Sequence, residues 1–107
     1  MKSRRSKATD ISQKVKQAVW ERDKGRCVVC GCCYNVMPNA HFISRAKGGL
    51  GIEENIVTLC TALTENKCHY KYDFGSREER EEIGGRIEEY LKSKYPKWDK
   101  ENLIYRR

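Results

Sequence analysis

The stretch Asn39–Asp73, NAHFISRAKGGLGIEENIVTLCTALTENKCHYKYD, holds most of the residues that can carry chemistry. It begins with a short apolar strand around His41, continues through a basic, glycine-rich loop, and then enters the apolar run Ile56–Cys60. His69 and Asp73 follow four residues apart, a spacing that places both side chains on one face of a helix. The stretch therefore predicts a strand, a loop, an apolar run that re-enters the core, and a helix.

The length and the cysteine content predict one small domain that needs extra stabilisation. The chain has 107 residues, six of them cysteine, and domains of this size often depend on a metal or on disulfides. No signal-peptide pattern and no apolar run of roughly 20 residues is visible. We therefore expect a cytoplasmic protein without a membrane partner, and a disulfide-stapled secreted protein is the disfavoured alternative.

Four cysteines make a candidate structural zinc site. Cys27 and Cys30 form a C-x-x-C pair, and Gly31 directly after it lets backbone amides turn toward two thiolates. Cys60 and Cys68 complete the four ligands that a closed tetrahedral site requires. Seven residues separate this second pair, which is unusual, although a loop of that size can hold two ligands of one metal.

The assignment of the zinc ligands has competitors. Cys30 and Cys33 form a second C-x-x-C. The glycine after Cys30 favours the first pair, so we interpret Cys32 and Cys33 as bystanders. His69, next to Cys68, could replace a cysteine as a ligand.

The chain is basic, and its charge is unevenly distributed. The net charge is +7, yet the segment 77–89 contains six glutamates and three arginines. The remainder is thus more basic than the total suggests, a pattern typical of proteins that bind a polyanion such as nucleic acid.

The local signals divide the chain into three parts. Residues 1–9 predict a basic flexible arm, residues 10–75 a core, and residues 76–107 a C-terminal helix with a basic tail that packs on the core or extends it. A helix begins at Asp10 or Ser12 and ends near Lys24, with Trp20 expected in the core. The segments 34–37 and 39–43 predict a short hairpin around Pro38.

The C-terminal helix has a clear start signal. Ser76 and Glu79 form a capping box, and the apolar periodicity continues to about Lys94. The pair Gly84–Gly85 weakens the middle of this helix, so we expect a close neighbour or a bend there.

The order of these motifs resembles the HNH endonuclease family. Its sequences contain a C-x-x-C, an Asp-His or His-His before a strand, a G-G loop, an asparagine with an apolar run, and a C-x-x-C-H. The sequence around the matching segments is similar to that of small free-standing HNH proteins of tailed bacteriophages. The match covers about half of the chain, and its segments are Cys27–Cys30, Ala40–Ile43, Gly48–Gly49, Asn55–Cys60 and Cys68–His69.

The resemblance implies a small α+β fold. Its core is a ββα-metal unit with a four-cysteine zinc knuckle, flanked by an N-terminal and a C-terminal helix. His41 is then the general base, Asn55 the middle asparagine and His69 the helix histidine. Asn55 could hydrogen-bond the loop backbone behind His41 or reach the metal. His69 and Asp73 are the candidate ligands of a catalytic Mg²⁺ or Mn²⁺.

The implied activity is metal-dependent hydrolysis of DNA phosphodiester bonds. We expect nicking or cutting of duplex with low sequence specificity by a monomer, in phage DNA processing or packaging in the host cytoplasm, where a phage terminase is the candidate partner. Phosphate contacts are expected from Arg45, Lys47, Lys67 and Lys71. Ala40 stands where many relatives have a metal ligand, so the alternative is a catalytically impaired, zinc-stabilised DNA-binding or docking module.

Overall fold

The computed structural model describes residues 3–106 of the chain. Over these residues the fold is a small, compact α+β arrangement of four helices around a two-stranded antiparallel sheet, with three short 3₁₀ turns in the connections. In chain order the helices and strands are α1 (Arg4–Thr9), α2 (Gln13–Asp23), β1 (Val36–His41), β2 (Ile56–Cys60), α3 (Cys68–Phe74) and α4 (Arg77–Lys94). Within the described residues no helix is both long enough and apolar enough to cross a membrane.

The sheet corrects the expected hairpin. Val36 pairs with Cys60 and His41 with Ile56, so the two strands are joined by residues 42–55, and Pro38 lies inside β1. The register is irregular between Met37 and Ala40. Proline cannot donate to a strand ladder, and such an irregularity accommodates it. The local turn signal at Pro38 was therefore overridden by the pairing of β1 with the buried β2.

The core lies between the sheet and the longest helix. All five residues of β2 are buried, and α4 places Ile83, Ile87 and Leu91 against them. Each of these side chains, once buried, contributes roughly 1.5–3 kcal/mol. At Gly84 an added Cβ would lie 3.2 Å from the ring of Tyr72, so this glycine marks the close approach of α3, whereas an added Cβ at Gly85 would meet nothing within 4 Å.

Side-chain caps begin the two longer helices where the sequence predicts them. The Ser12 hydroxyl accepts from the Val15 amide at the start of α2, and Ser76 forms a complete capping box with Glu79 at the start of α4. The prediction for Trp20 was wrong. Its side chain is 42 % exposed and lies over Gly25 at the end of α2, where an added Cβ would be 2.9 Å from its ring.

Part of the segment expected to be a flexible arm is helical. Residues 4–9 form α1, which the Ser3 hydroxyl caps; Met1 and Lys2 lie outside the described residues. Thr9 is buried, the Gly51 amide donates to the Ala8 carbonyl at 2.9 Å, and Arg5 donates to the Ala46 carbonyl at 2.8 Å. Long-range hydrogen bonds hold this segment, and composition alone does not predict such bonds.

The C-terminal tail packs against the glycine-rich loop between β1 and β2, which the N-terminal segment also contacts. Leu103 is buried, its carbonyl accepts from the Leu50 amide at 2.8 Å, and Gly49 bridges to Ile104. The Trp98 indole donates to the Glu54 carbonyl at 2.7 Å. The glycine-rich loop is therefore held between residues 8–9 and residues 103–105.

A buried polar network ties α2 to β2 and α4, and no local sequence pattern indicates it. The Asp23 carboxylate accepts from the Thr58 amide at 2.8 Å, from the Tyr90 hydroxyl at 2.6 Å and from Arg22 at 2.7 Å. Arg22 also donates to the Glu53 and Ile56 carbonyls. Burial of this ion pair is compatible with stability because each partner is fully hydrogen-bonded.

Candidate metal centre and active-site cleft

Four cysteine thiols cluster at one end of the sheet. The Sγ atoms of Cys27, Cys30, Cys60 and Cys68 all lie within 4.8 Å of one another, and those of Cys30 and Cys60 are 3.8 Å apart. Two thiolates on one tetrahedral zinc, each at roughly 2.3 Å, are about 3.8 Å apart. The donor set and its spacing therefore fit zinc, and these four are the ligands expected from the sequence.

Backbone geometry at each cysteine pair presents the sulfur atoms to one point. Gly31 adopts φ +80° and its amide donates to the Cys27 carbonyl at 2.9 Å. The Cys30 amide points to Cys27 Sγ at 3.5 Å and the Cys68 amide to Cys60 Sγ at 3.2 Å. Amides directed at sulfur stabilise thiolate, the form that binds metal.

The seven-residue loop between Cys60 and Cys68 is organised by a buried threonine. Thr64 donates its hydroxyl hydrogen to the Thr61 carbonyl at 2.9 Å and accepts from the Lys67 amide at 3.1 Å. Lys67 then adopts φ +47° and precedes α3. This closed loop brings Cys68 back beside Cys60, so its unusual length is compatible with a shared metal.

The thiols of the cluster perturb one another, and the extra cysteines stay outside it. A hydrogen bond from the Cys68 thiol lowers the pKa of Cys27 to about 4, and the same shared hydrogen bond raises the pKa of Cys68. Burial raises the pKa of Cys32 to about 12, and Cys33 is exposed. Neither belongs to the four-sulfur group, but the Cys32 thiol adjoins it, since hydrogen bonds to Cys30 and Cys60 also raise its pKa.

His41 is held in one orientation by the N-terminal segment. Its Nε2 lies 2.9 Å from the Thr9 carbonyl oxygen. A carbonyl oxygen can only accept, so Nε2 carries the hydrogen, and in the neutral ring Nδ1 keeps its lone pair. Burial lowers the pKa of His41 below its usual value, with smaller contributions from Arg45 and His69. The imidazole is therefore neutral near pH 7 and able to accept a proton.

Asn55 is wholly buried and engages the loop backbone. Its Oδ1 accepts from the Ile43 amide at 2.8 Å, and its Nδ2 donates to the Ile43 and Leu50 carbonyls at 3.1 and 2.8 Å. The Asn55 carbonyl also accepts from the Phe42 amide. Of the two roles considered for this side chain, the geometry matches the hydrogen-bonded support of the loop that follows His41.

His69 and Asp73 lie together on α3, as their spacing predicts. Nε2 of His69 is 3.3 Å from Oδ2 of Asp73. This contact is an ion-pair distance, and it keeps the two side chains together on one face of the helix. Within residues 3–106 the only group of three or more potential protein ligands is the cysteine cluster, so a Mg²⁺ or Mn²⁺ ion at this pair would take its other ligands from water and phosphate.

An open cleft of about 520 Å³ connects these elements, and we call it the His41 cleft. His41 and Asp73 both line it, and its cationic side chains are Lys47, Arg77 and Arg80. Sequence reasoning missed the two arginines because they belong to the acidic segment of α4. Ala40, by contrast, is fully buried in the core, so its methyl group does not line this cleft.

The other basic residues expected to contact phosphate are dispersed. Arg45 lies on the far side of His41, where it forms an ion pair with Asp10 at 2.5 Å. Lys71 lines a separate cleft beside Cys30, and Lys67 precedes α3. Of the four, only Lys47 lines the His41 cleft.

The arrangement places a neutral, oriented imidazole, the Asp73 carboxylate and several cations in one cleft, with His69 beside Asp73, on a domain that also carries four clustered thiols whose spacing fits zinc. Comparison of the chain with protein-family models, with curated proteins and with solved structures finds no match.

Proposed function

We propose that this protein is a metal-dependent DNA endonuclease of the HNH type. The single observation that carries the proposal is the His41 imidazole, fixed by the Thr9 carbonyl with Nδ1 free, in the cleft that Asp73 also lines. Hydrolysis of a phosphodiester needs a base for water, a cation for the developing negative charge, and a rigid frame for both. His41, Asp73 and the cations of this cleft, together with the adjoining Thr9, Asn55 and His69, would supply these parts.

In this proposal His41 is the general base. Nδ1 accepts the proton of the attacking water while Nε2 stays bonded to Thr9, so the ring does not reorient during the reaction. Asn55 is a positioning residue, because it fixes the backbone directly after His41. A positioned base of this kind contributes roughly 10²–10⁴ in rate.

The candidate catalytic ion would be held by His69 and Asp73. Such an ion, when bound, neutralises negative charge on the phosphate and on the leaving oxygen. Lys47 and Arg80 line the cleft beside Asp73 and are suited to orient the phosphodiester backbone through charge-assisted hydrogen bonds. Arg77 also lines it but is paired with Glu81, another residue of the cleft. These cations carry no base-reading pattern, so low sequence specificity follows.

The cysteine cluster would give this small domain its stability. A structural zinc contributes roughly 10–16 kcal/mol of apparent folding free energy in small metal-dependent domains, more than the total stability of many domains of this size. Zinc at the cluster would hold β2 and the start of α3 together, and so support His69 and Asp73.

A second candidate function is a zinc-stabilised DNA-binding module without catalysis. The observation in its favour is the small set of candidate ion ligands near His41: His69 and Asp73 form a pair, Glu81 is engaged by Arg77, and Asn55 is occupied by the loop backbone. A phage terminase as partner belongs to either candidate and is proposed from the sequence resemblance alone.

The test is cleavage of supercoiled plasmid by the zinc-loaded protein with Mg²⁺, with Mn²⁺ or without added ion. We expect open-circular product only with added ion, and a loss of at least 10² in rate for His41→Ala. Lys14→Ala, an exposed change on α2, serves as the matched control and should cut normally. Cleavage by His41→Ala at the wild-type rate excludes the assigned base, and binding without cleavage by any variant supports the second candidate.

A further inference from the structure

A second groove lies beside the His41 cleft and is more basic. It has a volume of about 800 Å³, and its cationic side chains are Arg4, Arg5, Lys47 and Arg106. None of the described residues that line it is acidic. We call it the basic groove. Its position brings together side chains about 100 residues apart in the chain, so no local sequence motif predicts it.

The cations of this groove differ from the other basic residues in their partners. On α4 the exposed cations are compensated by glutamates four residues away, as in Arg77–Glu81 and Arg86–Glu82. Within residues 3–106, no carboxylate lies within ion-pair distance of Arg4, Lys47 or Arg106. Their positive charge is therefore available to an external anion.

The groove is also held in shape. Arg5 donates to the Arg45 and Ala46 carbonyls, so the N-terminal segment is bonded to the loop that carries Lys47. The Tyr105 amide donates to the Gly48 carbonyl at 2.7 Å, so the C-terminal segment is bonded to the same loop. Cations projecting from fixed segments lose less conformational entropy on binding than cations on a mobile arm.

Lys47 lines both the basic groove and the His41 cleft. One anion that occupied both would extend from Arg4 and Arg106, past Lys47, to His41. A single small anion fills neither space, whereas a chain of regularly spaced phosphates offers a partner to each cation along this path. Arginine forks suit phosphate oxygens in particular, because they bond them in a bidentate manner.

We infer that the basic groove binds the sugar–phosphate backbone of duplex DNA flanking the phosphate held at His41. The inference rests on the proposed function for its ligand class, but it assigns a separate site with separate residues. The groove supplies affinity and register along the duplex, and it takes no part in the chemical step.

The test is the salt dependence of DNA binding. Anisotropy of a labelled 24-bp duplex is followed without added Mg²⁺ or Mn²⁺, from 50 to 200 mM KCl, for the wild type and for Arg4→Gln/Arg106→Gln. Both side chains are exposed, so the variant should fold. Lys14→Gln/Lys97→Gln, also exposed, removes the same net charge elsewhere and is the matched control.

The loss of two phosphate contacts makes the negative slope of log K against log salt shallower by about 1.8. Between 50 and 200 mM salt the variant should therefore lose roughly twelve-fold less affinity than the wild type loses. We expect this change for the groove variant and none for the control. Equal slopes in the groove variant and the control overturn the inference.

Plasmid cleavage by the same variants separates this inference from the proposed function. If the wild type cuts, the groove variant should show a raised KM with kcat unchanged, and a KM equal to that of the control counts against the groove. If no protein cuts but the difference in salt slope persists, the groove stands as a DNA site and the nuclease proposal falls.

Discussion

The buried Asp23 makes a strong prediction about stability, because its carboxylate is the common acceptor for three parts of the fold. Its side chain has no exposed surface, and that of Arg22 is 10 % exposed. In Asp23→Ala the Arg22 charge loses its counter-charge, and the Thr58 amide and Tyr90 hydroxyl lose their acceptor. The variant should therefore be far less stable than the wild type.

The size of the effect follows from these contacts. Breaking a buried ion pair by removing one partner costs about 3–5 kcal/mol, and an unsatisfied buried amide costs roughly 1–3 kcal/mol. The two penalties share one carboxylate and do not add fully, so we expect a loss of about 4 kcal/mol. The total stability of a domain is usually about 5–15 kcal/mol, which makes this a large fraction.

Urea denaturation at a fixed free-zinc concentration measures the loss. With an m value of roughly 2 kcal/mol/M, 4 kcal/mol corresponds to a fall of about 2 M in the midpoint. Asp23→Asn keeps the shape of the side chain and part of its acceptor capacity, so its midpoint should lie between those of the wild type and Asp23→Ala. This midpoint remains measurable if Asp23→Ala does not fold.

The control removes an exposed pair. Arg77 and Glu81 are 3.0 Å apart with side chains 87 % and 67 % exposed, and pairs of this kind contribute about 0.3–0.5 kcal/mol. Glu81→Ala should move the midpoint by roughly 0.2 M. The reasoning is refuted if both Asp23 variants shift the midpoint no further than Glu81→Ala does.

Three further predictions concern the site. Asn55→Ala should slow cleavage and destabilise the loop, and Asn55→Asp should be worse still, since it sets a carboxylate against the Leu50 carbonyl; higher activity in Asn55→Asp, measured by plasmid nicking, would instead indicate a metal ligand. Because burial lowers the pKa of His41, the nicking rate should be level above about pH 6.5 and fall below it. Folding stability should also decline below that pH, where the unfolded state binds more protons. A nicking rate that rises tenfold between pH 7 and 8 contradicts the assignment of His41 as the base. Cys60→Ser should abolish stoichiometric zinc by metal analysis and lower the unfolding midpoint, whereas Cys33→Ser, at an exposed position, should leave both unchanged, and zinc retained by Cys60→Ser excludes the cluster as its site.

The local signals in the sequence predicted the parts of the fold that depend on near neighbours. Ser76 and Glu79 are three residues apart, and their reciprocal cap needs no other part of the chain. His69 and Asp73 share a face of α3 for the same reason. The C-x-x-C pair also places its two sulfur atoms by a local turn, which is why the four-cysteine set could be proposed in advance.

Other features depend on partners distant in the chain, and the sequence did not predict them. The Thr9 carbonyl meets His41 across 32 residues, so a segment that looks like a solvated arm by composition orients a side chain of the cleft. The turn signal at Pro38 was outweighed by pairing with β2. Arg22 and Asp23 look like surface charges at a helix end, and only the fold shows that both are buried.

The clamped glycine-rich loop has a consequence for the folding of the chain. The Gly51 amide bonds to Ala8 and the Leu50 amide to Leu103, at sequence separations of 43 and 53 residues. Contacts of such long range close late, because the loop entropy must be lost before they form. The wall of the His41 cleft should therefore be completed only after residues from both segments have docked. A chain still under synthesis, or a fragment without residues 103–105, would have the four cysteines but no finished cleft.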